Sequence, residues 1–250
     1  MLAGTRGCGY GARMTKRVVD GFLPSVHGFA FANAWPPGPT LRLGPIRTPI
    51  LGFGDAAAGL CGGMVLTVRD LFEAGIAMPG DPQPANGSPR FDAIVRRQVE
   101  SLDWLRVPLR FYDLQAFRPD PPTGLAALLG RRVAREIAIR DEWPRIRADI
   151  DTGHPSTLGL IRIQSASPWN LTHNHQVLAF GYHETPEQLR IAIYDPNHPG
   201  RDNVELVADI DADATQAWPD RIRLAQSTGE PLLGFFRQRY PPLGSLRAWR

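Results

Sequence analysis

The hydrophobic periodicity of the chain changes near Gly153, and this change limits the fold more than any other feature of the sequence. Before it, apolar residues recur at helical spacing in GLCGGMVLTVRDLFEAG, which spans 59–75. After it, short apolar or alternating runs such as HQVLAFGYHE and LRIAIYDPN are separated by turn residues, as in β-strands. Helices followed by antiparallel strands predict an α+β fold in which the strands pack against the first helix.

The same patterns predict three helical segments and a series of strands. The amphipathic helix over 59–75 ends at Gly75, a loop follows over 76–90, and a second helix runs over about 91–105. A third region, 124–151, is mostly helical, and Pro144 is expected to kink or divide it. The predicted strands are 157–164, 175–184, 189–197, 203–210 and 231–238, with a hairpin turn at Thr185-Pro186-Glu187.

The N-terminal part of the sequence has no regular apolar pattern. Its leader contains GTRGCGYGAR, so 1–18 is predicted to be disordered and 19–250 to form a single domain, with Met14 as an alternative start. Residues 20–55 are rich in proline, glycine and aromatic residues. They are predicted to be extended surface chain with at most a short strand at 27–32.

Composition argues against several classes of protein. The two cysteines, Cys8 and Cys61, allow at most one bridge and supply no zinc-type pair. No apolar run approaches the ~20 residues that span a bilayer, and no apolar stretch follows the N-terminal arginines as in a signal peptide. We therefore expect no membrane span, and a cytoplasmic protein or one exported without a conventional signal peptide. The net charge is +3 with scattered arginines, which indicates solvated helix faces and no nucleic-acid partner.

Cys61 stands at the start of the first predicted helix, where a thiol becomes reactive. The unpaired N–H groups and the dipole of a helix N-terminus favour the thiolate, and these N–H groups can supply half of an oxyanion hole. Gly62 and Gly63 are interpreted as allowing a substrate backbone to approach closely. The alternative is that Cys61 is a small apolar core residue.

Two residues of the strand region fall where they can serve such a thiol. His175 opens one predicted strand and Asp195 ends the next, so a hairpin places them side by side. A carboxylate in that place holds an imidazole in the right tautomer and stabilises the imidazolium. The alternative for His175 is a purely structural histidine. The alternative for Asp195 is a turn at Asp195-Pro196-Asn197 that caps its own backbone, and such a turn is compatible with a catalytic role.

A metal site is the weaker interpretation of the same region. His173 and His175 share one face of an extended segment, as ligands do in some metal sites. Only His198 or Asp195 is available nearby as a further ligand. We therefore predict no metal and no other cofactor.

Taken in order, GLCGGM at a helix start, then HQVLAFGY, then IAIYDPNHPG resemble the papain-like superfamily of cysteine peptidases, and most closely its C39-like branch. The resemblance covers 59–75 and roughly 158–200. It implies a papain-like fold, with a nucleophile-bearing helix packed on an antiparallel sheet and extra helices inserted between them. It also implies that Cys61 is the nucleophile, His175 the general base and acid, and Asp195 the residue that orients the imidazole.

The sequence departs from this family at the oxyanion hole. The family places a glutamine six residues before the nucleophile, and here that position is Asp55. A carboxylate cannot donate a hydrogen bond unless it is protonated. Asn33, in GFAFANAWP, is the candidate replacement donor, and its alternative role is to cap a loop.

The expected function is nucleophilic acyl transfer on a peptide or amide substrate, the chemistry of a cysteine peptidase or amidase. Two other functions are compatible with the same fold. One is a catalytically silent binding or scaffold protein, which Asp55 favours. The other is a toxin-like effector that uses the same three residues for deamidation or transacylation. The sequence carries no indication of the oligomeric state.

Overall fold

The part of the chain described by the computed structural model has an α+β fold with one curled antiparallel sheet, as the order of helical and strand patterns predicts. This part comprises 14–37, 59–122, 128–211, 215, 218–241 and 243–249. Asp55 and Cys8 lie outside it, as do the remaining residues of the predicted leader before Met14. Within it, no helix is both long enough and apolar enough to cross a membrane.

The helices precede most of the sheet along the chain. The α-helices are α1 (Pro24–His27), α2 (Cys61–Glu73), α3 (Pro89–Ser101), α4 (Arg106–Ala116), α5 (Ala134–Ile137) and α6 (Trp143–Asp151). A π-helical turn, Ala138–Glu142, joins α5 to α6. The strands are β1 (Thr15–Val18), β2 (Ser156–Ile161), β3 (His175–Glu184), β4 (Gln188–Tyr194), β5 (Glu205–Ile210), β6 (Ile222–Gln226) and β7 (Gly234–Arg237). Short 3-10 helices are Pro168–His173, Trp218–Arg221 and Arg247–Trp249.

The strand order is β6-β5-β4-β3-β2-β7, and β1 pairs with β3 outside that path. Every pairing is antiparallel, so the start of β3 lies beside the ends of β2 and β4. The main hydrophobic core lies between α2 and the inner face of this sheet. A second cluster joins α4 and α5 to β2 and β7, with Phe111, Ile137 and Phe236 among its members.

Helix α2 is more deeply buried than an amphipathic pattern implies. Every residue from Gly62 to Leu71 is buried, including Arg69 and Asp70. Burial on all sides follows from its position between α3 and β3. The buried carboxylate is neutralised by Arg97 of α3, whose Nη2 lies 2.9 Å from Asp70 Oδ1.

The two glycines that follow Cys61 serve packing and do not face a substrate. A Cβ on Gly62 would lie 1.6 Å from Gln176 Oε1 of β3, and a Cβ on Gly63 would lie 2.2 Å from the Ile94 carbonyl oxygen of α3. The prediction that they open space for a substrate backbone is therefore wrong. They let α2 approach the sheet and α3 more closely than any other residue type allows.

Replacing Gly63 with alanine is expected to lower the free energy of unfolding by about 1–3 kcal/mol, because the added methyl group overpacks a backbone contact. Urea unfolding followed by circular dichroism measures the change. Gly80→Ala is the matched control, since a Cβ there meets nothing within 4 Å. Equal stabilities of Gly63→Ala and the wild type would contradict this account of the α2–α3 contact.

Several sequence-based boundaries need correction. The predicted disordered leader, 1–18, is too long, because Thr15–Val18 forms β1 and pairs with Gly181 to Glu184 of β3. No strand forms at 27–32, because α1 occupies its start and the Gly28 N–H donates to the Pro24 carbonyl oxygen. The segments 15–18 and 27–32 are too short to give a clear apolar periodicity. Their secondary structure therefore depends on the residues that they contact.

The helical region also differs from its prediction. Helix α3 ends at Ser101, before the predicted 105, because Asp103 and Trp104 adopt positive φ values of 41° and 63°. Helix α4 then begins, although the sequence did not predict it. The expected interruption near Pro144 is confirmed, because the π-helical turn ends directly before Trp143-Pro144.

Candidate active site

Polar residues at the ends of four strands meet at one end of the sheet, where these strands begin or finish. His175 is the first residue of β3, Asp195 directly follows β4, Arg162 directly follows β2, and Gln226 is the last residue of β6. The antiparallel register brings the first three together. Strand β6 is separated from β4 by β5, and its last residue reaches Asp195 because the sheet curls.

Cys61 is the first residue of α2 and is partly exposed to solvent. His175 and the backbone N–H groups of Gln176 and Gly62 act on its thiol and favour the thiolate. Burial raises the pKa of the Cys61 thiol, but the hydrogen bond and charge of His175 and these two amides together bring it below its ordinary value. The thiol is thus poised to ionise.

His175 contacts Cys61 on one side and Asp195 on the other. Its Nε2 lies 2.7 Å from Asp195 Oδ1, and both side chains are buried. Since Nε2 is used in this contact, Nδ1 is the nitrogen available to Cys61. Burial lowers the pKa of His175, but the charge and hydrogen bond of Asp195 and the contact with Cys61 raise it to about 9. The imidazolium is therefore the favoured form at neutral pH.

Asp195 is fully buried and is held in place through both carboxylate oxygens. Oδ1 accepts the Asn197 N–H at 2.8 Å in addition to His175, so the turn interpretation and the contact with the imidazole both hold. Oδ2 accepts Gln226 Nε2 at 2.9 Å. Burial raises the pKa of Asp195, but His175, the Asn197 N–H and Arg162 hold it well below its usual range.

Sequence reasoning missed Arg162 and Gln226. Arg162 Nη2 donates to Gln226 Oε1 at 2.9 Å and lies 3.6 Å from Asp195 Oδ2. Each follows or ends a short apolar run, in LGLIR and IRLAQ. A polar residue at the end of an apolar run could have marked both positions in the sequence. Their contact with Asp195 could not be predicted in this way, because it depends on the curl of the sheet.

Asn33 lies beside the chain segment that enters α2. Its Oδ1 accepts the Leu60 N–H at 2.7 Å and the Trp35 Nε1–H at 3.1 Å, while its backbone N–H donates to the Pro196 carbonyl oxygen. These bonds turn the Nδ2 end toward Gly59, where a Cβ would lie 2.8 Å away. Asn33 thus adjoins the residues before Cys61, although it is absent from the described lining of the cleft beside the thiol.

A small cleft that is partly open to solvent lies beside Cys61. Its described lining is Gly59, Cys61, Gln98, Leu102, Phe111, Leu171, Thr172, Asn174, His175 and Gln176. The polar side chains among them are largely engaged with other parts of the protein: Gln98 accepts the Gly63 N–H and Gln176 donates to Gln238. The exposed walls are mainly apolar, from Leu102, Phe111 and Leu171.

The histidines around this site are separated. His173 is exposed in the 3-10 helix before β3, and His198 Nε2 lies 2.5 Å from Glu230 Oε1. In the part of the chain that the structure describes, no three His, Cys, Asp or Glu side chains are grouped so as to hold a metal ion.

Comparison of the chain with models of known protein families, with curated proteins and with solved structures finds no match.

Proposed function

We propose that this chain is a papain-like thiol hydrolase, of the cysteine peptidase or amidase type, which acts by nucleophilic acyl transfer. The observation that carries the proposal is the contact sequence Cys61–His175–Asp195 at the mouth of a cleft. It joins a partly exposed thiol of lowered pKa, an imidazole of raised pKa and a fully buried carboxylate. The order of the motifs in the sequence supports the same class.

The reaction starts from the thiolate of Cys61 and the imidazolium of His175. The sulfur attacks the carbonyl carbon of an amide and forms a tetrahedral oxyanion near the N-terminus of α2, where backbone N–H groups favour negative charge. The C–N bond then breaks, and the leaving amine takes the proton from His175. A water molecule gives a proton to His175 and attacks the thioester, which releases the acid and restores the thiolate.

The cleft favours an uncharged acyl group next to the scissile carbonyl. Its described lining contains no carboxylate, and its titratable groups are those of Cys61 and His175. Leu102, Phe111 and Leu171 supply apolar walls, so transfer of an aliphatic or aromatic side chain from water is favourable. An unpaired charge in the same place would lose hydration without gaining a partner.

Selective alkylation is the first test of this function. At pH 6.5, iodoacetamide is expected to label Cys61 at least ~10-fold faster than Cys8, because the rate follows the thiolate fraction. Peptide mapping by mass spectrometry reports both sites in one sample. Equal labelling of the two cysteines would favour the catalytically silent binding protein instead.

The pH dependence of hydrolysis follows from the same pair. Catalysis needs thiolate at Cys61 and a proton on His175, so kcat/KM should fall as pH rises through about 9, where the imidazolium of His175 loses its proton. It should also fall at acid pH as the thiolate is protonated. Initial rates on an uncharged activated amide measure both limbs. A profile that keeps rising beyond pH 10 would rule out His175 as the proton donor.

The role of Asn33 is tested by two substitutions at one position. Asn33→Ala is expected to lower kcat ~10²–10³-fold with little change in KM, because an oxyanion bond strengthens in the transition state. Asn33→Asp keeps the oxygen that accepts the Leu60 N–H but removes the donor, so it should lose as much. Asp55→Ala is expected to leave kcat roughly unchanged. If Asn33→Asp turns over at the wild-type rate, Asn33 only holds the chain before α2.

A further inference from the structure

A mostly buried arginine forms an ion pair with the carboxylate of the site but no direct hydrogen bond. Arg162 Nη2 is 3.6 Å from Asp195 Oδ2, beyond hydrogen-bond distance, although the arginine side chain is 13% exposed and the aspartate 0%. Its 2.9 Å hydrogen bond goes to Gln226 Oε1 instead. Among the described residues, Arg162 Nε is buried and has no hydrogen-bond partner.

The amide of Gln226 bridges the two charged groups. Nε2 donates to Asp195 Oδ2 at 2.9 Å and to Thr228 Oγ1 at 2.8 Å, while Oε1 accepts from Arg162. This orientation is fixed, because a flipped amide would turn its oxygen toward the carboxylate and its NH₂ toward the guanidinium. Gln226 is 3% exposed, so water does not readily replace either contact.

We propose that Gln226 is a positioning residue that keeps the Arg162–Asp195 ion pair from closing into direct hydrogen bonds, so that more of the carboxylate charge stays available to His175. The proposal rests on the proposed function for its catalytic meaning. Its physical basis is independent of it: a guanidinium matches a carboxylate through two parallel hydrogen bonds, and such a pair withdraws the charge from any third group.

The other charged and titratable groups near this network are few. Cys61 of α2 faces the far edge of His175, and Tyr194 of β4 precedes Asp195. Beyond Gln226, Thr228 donates to Glu230, which pairs with His198. Gln226 contacts both Arg162 and Asp195, so we attribute the 3.6 Å spacing of the ion pair to its amide.

The test compares Gln226→Met with Gln226→Glu and with the double variant that carries both Gln226→Met and Arg162→Met. Methionine is similar in length but neither donates nor accepts, so Arg162 is expected to close on Asp195 and weaken its hold on the imidazolium. The His175 pKa, followed by NMR of the imidazole, should fall from about 9 by about one unit or more. The alkaline limb of kcat/KM should move with it, and kcat should fall more than KM changes.

The second and third variants make the result specific. Glutamate at position 226 still engages Arg162, so Gln226→Glu should leave the His175 pKa at or above the wild-type value. Adding Arg162→Met to Gln226→Met should restore it, which a loss of packing alone would not do. A folded Gln226→Met with the wild-type titration overturns the proposal. So does a fall of the pKa in Gln226→Glu, a comparison that remains if the methionine variant does not fold.

The His175 titration is measured without substrate turnover. The role of Gln226 and the proposed hydrolase activity can therefore be refuted independently. A chain that hydrolyses no amide but shows the expected shifts would refute the hydrolase and leave Gln226 as the residue that separates the charges. A chain that hydrolyses, with a His175 pKa insensitive to position 226, would refute the role of Gln226 alone.

Discussion

Cys61→Ala is expected to abolish hydrolysis, with a loss of roughly 10⁴-fold or more in kcat, while the chain stays folded. The nucleophile forms the covalent bond to the substrate, so no neighbouring group replaces it. The side chain is partly exposed at the first position of α2, and its removal leaves little cavity in the core. Initial rates on an amide and on the matching ester, with urea unfolding of the same samples, measure both parts.

Cys61→Ser is the conservative control for this result. It keeps the size and a hydrogen bond to His175, but a hydroxyl does not ionise near neutral pH, so its activity should also be lost. Iodoacetamide should inactivate the wild type with the same stoichiometry as the labelling of Cys61. Full turnover by Cys61→Ala would disprove the central claim of the proposed function.

His175→Ala should lose nearly as much activity as Cys61→Ala, because the two residues act as a unit. Without the imidazole, the thiol loses both the hydrogen bond and the charge that lower its pKa, and the leaving amine loses its proton donor. The double variant should therefore be no slower than either single variant. Kinetics of the three proteins on one substrate decide this, and simple additivity of the two losses would show that the residues act independently.

Asp195→Asn tests the carboxylate that supports His175 while the imidazole itself is kept. It should lose less activity than His175→Ala, since the imidazole remains but its orientation and charge are no longer supported. The amide also removes the charge that raises the His175 pKa, so the alkaline limb should move to lower pH. An Asp195→Asn variant with an unchanged alkaline limb would show that another group holds the proton on His175.

The main parts of the site were predictable because each lies at the end of a secondary-structure element. A helix start places Cys61, and two strands joined as a hairpin place His175 beside Asp195, whatever the exact shape of the sheet. Local periodicity carries this information, and the resemblance of the motifs pointed to the same residues.

The rest depends on geometry that periodicity does not encode. Gln226 reaches Asp195 across the intervening strand because the sheet curls, and strand β6 has no pattern that gives its neighbour. Gly62 and Gly63 were assigned to the substrate because a sequence does not show that Gln176 and Ile94 lie against them. Contacts between distant segments were thus the information that the sequence lacked.

The curl of the sheet also orders the events of biosynthesis. The thiol-bearing helix emerges from the ribosome long before β6, yet the carboxylate that supports His175 is held by Gln226 at the end of that strand. Translation proceeds from the N-terminus, so a nascent chain that stops short of this strand lacks the last support of the site. In such a chain Asp195 lacks the hydrogen bond from Gln226 to Oδ2, and the support of His175 is incomplete until β6 has been added.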